Sequence, residues 1–196
     1  MIKKILLLFV ISLMSFSTIG EEPVERIGLK GPLVFNKTNF SLAWTAHPNE
    51  NYYVQEYLPE NETVERFNQL LTVHVFTMDV SVDSAIEQKV KELNKRKETD
   101  KVCNFSIMKS PDGKESIIDC LLSSGSTDKV DIVEFIIYRY KQIELKNNKK
   151  ALLIYAYSKR SYDDKITPFF KNLKTDRIEL LSMMTSAQML TILIKE

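Results

Sequence analysis

Val130-Asp-Ile-Val-Glu-Phe-Ile-Ile-Tyr-Arg-Tyr-Lys-Gln-Ile-Glu144, then Leu145-Lys-Asn-Asn-Lys-Lys150, then Ala151-Leu-Leu-Ile-Tyr-Ala-Tyr157 is the stretch that decides the fold. β-Branched and aromatic residues fill two runs around a Lys/Asn-rich turn, which is the composition of a β-hairpin. In the middle of the first run apolar side chains fall on both parities, with Val133, Phe135 and Ile137 on one and Ile132, Ile136 and Tyr138 on the other. A strand with one wet face alternates, so this one is covered on both faces and the hairpin belongs at the centre of a sheet.

Working outward, Ser123-Ser-Gly-Ser-Thr127 is a break, and Ser110-Pro-Asp-Gly113 is a turn joining strands over 102–109 and 115–123. Ser81 or Asp83 starts a helix whose Val82, Ile86, Val90 and Leu93 form one stripe, with a solvated tail over 95–100. The strand 72–77 precedes it, and a short helix is expected over 63–71, capped by Thr63. Leu33–Phe35, Phe40–Thr45 and Asn51–Leu58 read as an opening β-meander that Pro59 ends. After the central hairpin, Thr167 caps a helix with Pro168 at its first position and Phe169, Phe170, Leu173, Leu180, Leu181 and Met184 on its buried side. Residues 189–194 are apolar and fit either a strand or a helical continuation. Strands joined by short turns pair antiparallel. The expected class is therefore α+β, a single antiparallel sheet of about six to eight strands with two or three helices packed mainly on one face.

The N-terminus reads as an export signal. Lys3 and Lys4 precede the apolar run Ile5–Met14, which is short for a bilayer span, and small residues follow up to Gly20. Cleavage after Gly20 is the first choice and the Ser15/Ser17 pair the second; an uncleaved anchor is the alternative. No cysteine lies nearby, which excludes an acylated lipoprotein. Residues 1–20 are thus a signal peptide and 21–196 one α+β domain, opening on a loose leader over 21–32. The chain's net charge of +1 becomes −1 once Lys3 and Lys4 are removed, and neither value suits a nucleic-acid binder. Hydrophobic residues at 44% and charged residues at 27% suit a globular domain, periplasmic or secreted, with no transmembrane helix after cleavage. Four Asn-x-Ser/Thr sequons, at Asn36, Asn39, Asn61 and Asn104, would suggest glycosylation in a eukaryotic secreted protein and are expected by chance in an Asn-rich bacterial one, the source that the Lys, Ile and Asn bias with only five Gly fits.

Cys103 and Cys120 are the only cysteines, and an exported chain meets an oxidising compartment. If Ser110 pairs with Gly113, Cys103 falls opposite Cys120 at a non-hydrogen-bonded site where a disulfide is feasible. A three-residue loop with a bulged glycine would instead turn the two sulfurs to opposite faces. No Cys-x-x-Cys spacing points to redox catalysis.

Catalytic patterns are absent from the sequence. His47 precedes a proline in a turn and His74 lies in a strand, and neither has a second His or Cys at ligand spacing, so no metal and no cofactor is expected. Ser124-Gly125-Ser126 is a loop and not a nucleophile elbow, and Asp163-Asp164 reads as dipole compensation before a helix. The remaining candidates are strand tyrosines: Tyr53, Tyr57, Tyr138, Tyr140, Tyr155 and Tyr157 form a binding surface if they share an uncovered face, and otherwise belong to the core.

The run Tyr53-Val-Gln-Glu-Tyr-Leu-Pro59 into a short helix and strand, a longer helix, a meander carrying Phe135 to Tyr157, and a closing helix resembles exported α+β proteins of the PsbP-like and DcrB-like kind in element order over about residues 33–185. The resemblance implies an accessory or binding protein of a membrane-facing compartment and carries no functional residues with it. The leading expectation is a non-enzymatic envelope accessory that binds another envelope or secreted protein. A small-molecule or lipid-binding protein is the second reading and a hydrolase the third.

Overall fold

The computed structural model describes residues 22–126 and 129–194. The signal-peptide assignment to residues 1–20 lies outside them. Eight strands, β1 (Leu33–Phe35), β2 (Thr38–Asn49), β3 (Tyr52–Leu58), β4 (Gln69–Phe76), β5 (Asn104–Lys109), β6 (Glu115–Ser126), β7 (Lys129–Glu144) and β8 (Lys150–Tyr162), form one curled antiparallel sheet. Its order is β1-β2-β3-β4-β8-β7-β6-β5, so the hairpin β7–β8 lies inside it and β8 joins β4. Helix α1 (Val82–Lys97) follows β4 and α2 (Ile166–Ser186) follows β8.

The helices do not share a face, which corrects the expected architecture. Along β8, Ala151, Leu153, Tyr155 and Tyr157 pack into the cluster that contains Phe169, Leu180, Leu181 and Met184 of α2. The intervening Leu152, Ile154 and Ala156 pack with Val82, Ile86 and Leu93 of α1. β7 divides in the same way, Val133, Phe135 and Ile137 toward α2 and Ile136, Tyr138 and Tyr140 toward α1. Apolar residues on both parities of a strand need a cover on each side, and one helix supplies each. The described residues are mostly sheet, with two helices on opposite faces.

Three local expectations change. Residues 63–68 make a turn, in which Thr63 Oγ1 accepts from Arg66 N at 3.2 Å, and no helix. Glu62 accepts from the backbone N–H groups of Asn68 and Gln69 at 2.8 and 3.0 Å, and period two begins there: Leu70 packs with Leu58 and Phe67, while Leu71 faces α2. The tail after α1 is not simply solvated, because Asp100 is buried and accepts from Ser123 N, Ser123 Oγ and Val102 N. α2 begins at Ile166 with Lys165 as its cap residue, which leaves Pro168 inside the first turn; Phe170 is exposed. Arg139 closes the other end of α2, its guanidinium donating to the Met184 and Ala187 carbonyls at 2.7 Å, groups the helix itself leaves without donors.

The leader is docked. Ile27 is fully buried, Arg26 N donates to Gln55 Oε1 at 2.7 Å, and the Tyr57 hydroxyl donates to Leu29 O at 2.9 Å. Residues 187–194, neither strand nor helix, lie beside it, with Leu193 N bonded to Ile27 O and Ile192 buried. Gly28 permits this approach: it has φ +80°, and a Cβ there would lie 2.7 Å from that of Leu193.

Candidate site between α1 and the sheet

Ser81 caps α1 by accepting from Ser84 N at 3.1 Å, Asp83 lies in the first turn, and Lys95, Arg96 and Lys97 lie in the last, so both ends suit the helix dipole. The helix packs chiefly over β5, β6 and β7. Toward β4 and β8 it turns Ser84, Ala85, Gln88, Lys89 and Glu92 to the sheet, and the short side chains near its start do not fill the gap. The opposite wall comes from one face of three neighbouring strands. His74 pairs with Ile154 and Ile154 with Tyr140, while Phe76 pairs with Leu152, so alternation brings all five side chains to this side. A cavity of about 180 Å³ lies between helix and strands.

Its polar groups are few. The Tyr52 hydroxyl is 2.8 Å from His74 Nδ1, and the Tyr52 ring stacks on Phe76 with centroids 4.5 Å apart. Burial, with a smaller contribution from Lys89, pushes the His74 imidazole down to about 3, so it is neutral at physiological pH. Lys89 Nζ stands 4.5 Å from the Tyr138 ring centroid and 3.6 Å from Glu92 Oε2. Tyr138 and Tyr140 are only 5% and 3% exposed. Their hydroxyls have no hydrogen-bond partner among the described residues, and burial raises both phenols far above their ordinary value, so both remain protonated donors.

The six candidate tyrosines are divided between two covered faces. Tyr57, Tyr155 and Tyr157 are core residues under α2, and Tyr53 packs beside that core with His47 stacked on it at 4.0 Å. Only Tyr138 and Tyr140 reach the cavity. Asp163 begins a 3-10 turn and lies 3.7 Å from Lys129, and among the described residues no group of three or more His, Cys, Asp and Glu is placed to hold a metal. Ser124-Gly125-Ser126 ends strand β6 at a register shift and is not a separate loop; a Cβ on Gly125 would meet Lys129 O at 2.1 Å.

Cys103 and Cys120 are both free and buried under α1. The β5–β6 register places Phe105, not Cys103, opposite Cys120, because Ser110 N bonds to Glu115 O across a four-residue loop and Lys109 pairs with Ser116. Asp112 sets that loop by accepting from Ser110 Oγ and Lys114 N. Cys103 just precedes β5 and its thiol lies 3.6 Å from Leu93 O. Burial raises both thiols, that of Cys120 to about 12, so neither cysteine is an activated nucleophile.

Sequence reasoning missed the helix side of the cavity. Ala85, Gln88, Lys89 and Glu92 recur at helical spacing directly beside the apolar stripe, and that adjacency was the available signal.

A protein-family model matches residues 27–189, most of the chain. The chain belongs to that family. The match brings no activity, ligand or partner with it and no link to PsbP-like or DcrB-like proteins. No curated protein matches the chain. Nothing in the family match or in the described side chains indicates an enzyme. Among the described residues no helix is long and apolar enough to cross a membrane.

Proposed function

We propose that this is an exported, non-catalytic binding protein whose ligand is a small molecule held between α1 and the sheet. The single observation that supports the reading is the cavity itself: apolar walls, a few convergent polar groups and cover from a helix and three strands are the usual form of a small-molecule site. A protein partner in the envelope is the second reading, and it loses the tyrosine face that would have carried it, because those rings are covered. Export rests on the basic start and short apolar run of residues 1–20.

A fragment titration followed by amide NMR tests the ligand reading. Shifts should concentrate at Ser84, Ala85, Gln88, Tyr138, Tyr140 and Leu152, and Ala85→Trp, which fills the space, should abolish them. Shifts scattered over the surface and unchanged in the variant would overturn it. For the compartment, the mature protein should begin at Glu21 and be recovered from the envelope fraction. There we also propose that Cys103 and Cys120 become joined, since both thiols lie on one side of the sheet two positions apart in register. Non-reducing mass analysis should show the loss of two hydrogens; quantitative alkylation of both thiols in freshly isolated protein would refute the cross-link.

A further inference from the structure

The cavity's polar groups narrow the ligand class, an inference that rests on the cavity-ligand reading. Its volume of about 180 Å³ slightly exceeds the roughly 150 Å³ that admits a benzene ring. Phe76, Leu152 and Ile154 offer a hydrocarbon wall. The two phenol hydroxyls belong to buried residues that line the cavity and have no protein acceptor among the described residues, so a ligand there can supply one. Both belong to one strand and one face, two residues apart, with their rings 6.3 Å from each other. The ammonium of Lys89 lies over the first of these rings, and Glu92 at 3.6 Å balances its charge. A cationic ligand would meet Lys89, and a pure hydrocarbon would leave both hydroxyls without acceptors.

We propose that this cavity takes a monocarboxylic acid of about benzoate size, its ring or branched chain against Phe76, Leu152 and Ile154 and its carboxylate accepting from the Tyr138 and Tyr140 hydroxyls beside Lys89. The carboxylate then shares Lys89 with Glu92, and the two phenols gain charge-assisted hydrogen bonds, which are stronger than neutral ones. His74, neutral and bonded to Tyr52, supplies shape and no charge.

Calorimetric titration of the mature chain with benzoate, benzyl alcohol and toluene tests this. Benzoate should bind at least about tenfold more tightly than either neutral probe, the ratio expected for one charge-assisted hydrogen bond. The double variant Y138F/Y140F should lose at least that factor for benzoate while retaining toluene, and Lys89→Met should weaken benzoate alone. Thermal unfolding and near-ultraviolet circular dichroism verify that each variant is folded. Equal affinities for the three probes, or benzoate binding unchanged in the double variant, would overturn the acid assignment and leave a cavity ligand standing. Failure of all three probes in the wild-type chain would overturn both.

Discussion

Glu56 makes the fall in stability between pH 4.5 and neutrality predictable. It sits in β3 between Trp44 and Thr72, on the sheet's α1 side but beyond the helix. Burial pushes its carboxyl up to about 7; Arg160 opposes the rise, and Glu134 adds to it. Arg160 cannot compensate fully because its guanidinium is already held by Glu134 at 2.8 and 3.2 Å. The native carboxyl therefore keeps its proton between pH 4.5 and about 7, an interval over which the unfolded chain has released it. Stability contributed by the neutral acid is complete below 4.5 and is lost as the pH rises through about 7. At about 1.4 kcal/mol per pH unit the full loss is about 3.5 kcal/mol. Glu56→Gln keeps the shape and cannot ionise, so at pH 8 it should exceed the wild type by up to about 3.5 kcal/mol, or roughly 7–14 °C in Tm for a domain of this size. At pH 4.5 the two should coincide. Urea unfolding followed by circular dichroism at several pH values measures the difference directly. A gap of constant size across that range, or a less stable variant at pH 8, would refute the account of Glu56.

Other consequences follow from buried polar contacts. Asp119 in β6 accepts both Arg177 nitrogens, at 2.7 and 2.8 Å, and so ties α2 to the sheet; Arg177→Ala should lower the urea-derived stability by about 2–3 kcal/mol, with Arg177→Lys restoring only part. Asp100→Ala removes the acceptor for Ser123 and Val102 and should cost about 2 kcal/mol at neutral pH. Burial alone would raise the Asp100 carboxyl, but hydrogen bonds from Ser123, Arg96 and Val102 outweigh it and hold it below its ordinary 3.8, so stability present above that value is lost as the pH falls, and the gap between wild type and variant should close in acid. Tyr57→Phe breaks the bond to Leu29 O and should cost about 1 kcal/mol, with protease cutting residues 22–32 sooner than in the wild type; an unchanged digestion pattern would show that the leader is held by Ile27 alone.

The two-sided apolar pattern of the central hairpin, with Val133, Phe135 and Ile137 set against Ile136 and Tyr138, was legible from residues, and so were the Ser81 cap, the turn at Ser110–Gly113 and the antiparallel pairing. The one-face arrangement of helices failed because the stripes of 82–93 and 169–184 say only that each helix needs a cover; which side each takes depends on where β8 is inserted. That insertion joins Val73 to Tyr155 across the sheet, a contact no local pattern encodes. The expected helix over 63–71 failed because Leu70 and Leu71, adjacent in sequence, are buried on opposite faces, which a strand permits and a helical stripe does not. The cysteine register failed by two positions, since Asp112 closes a longer loop than the Pro-Gly spacing suggested. For the candidate site, Tyr138, Tyr140 and His74 stood out by type, whereas Ala85 and Gln88 did not: a cavity is made by what a small side chain leaves empty.

The place of β8 also governs when the molecule can form. Strands up to residue 76 make one half of the wall and residues 104–144 the other, and no ladder links the halves until Lys150–Tyr162 has been delivered between them. Closure at such long sequence separation is slow. If the chain is exported as proposed, it would thus stay pliable in a secretion pore until its final quarter emerged, and would lock only after passage was nearly complete.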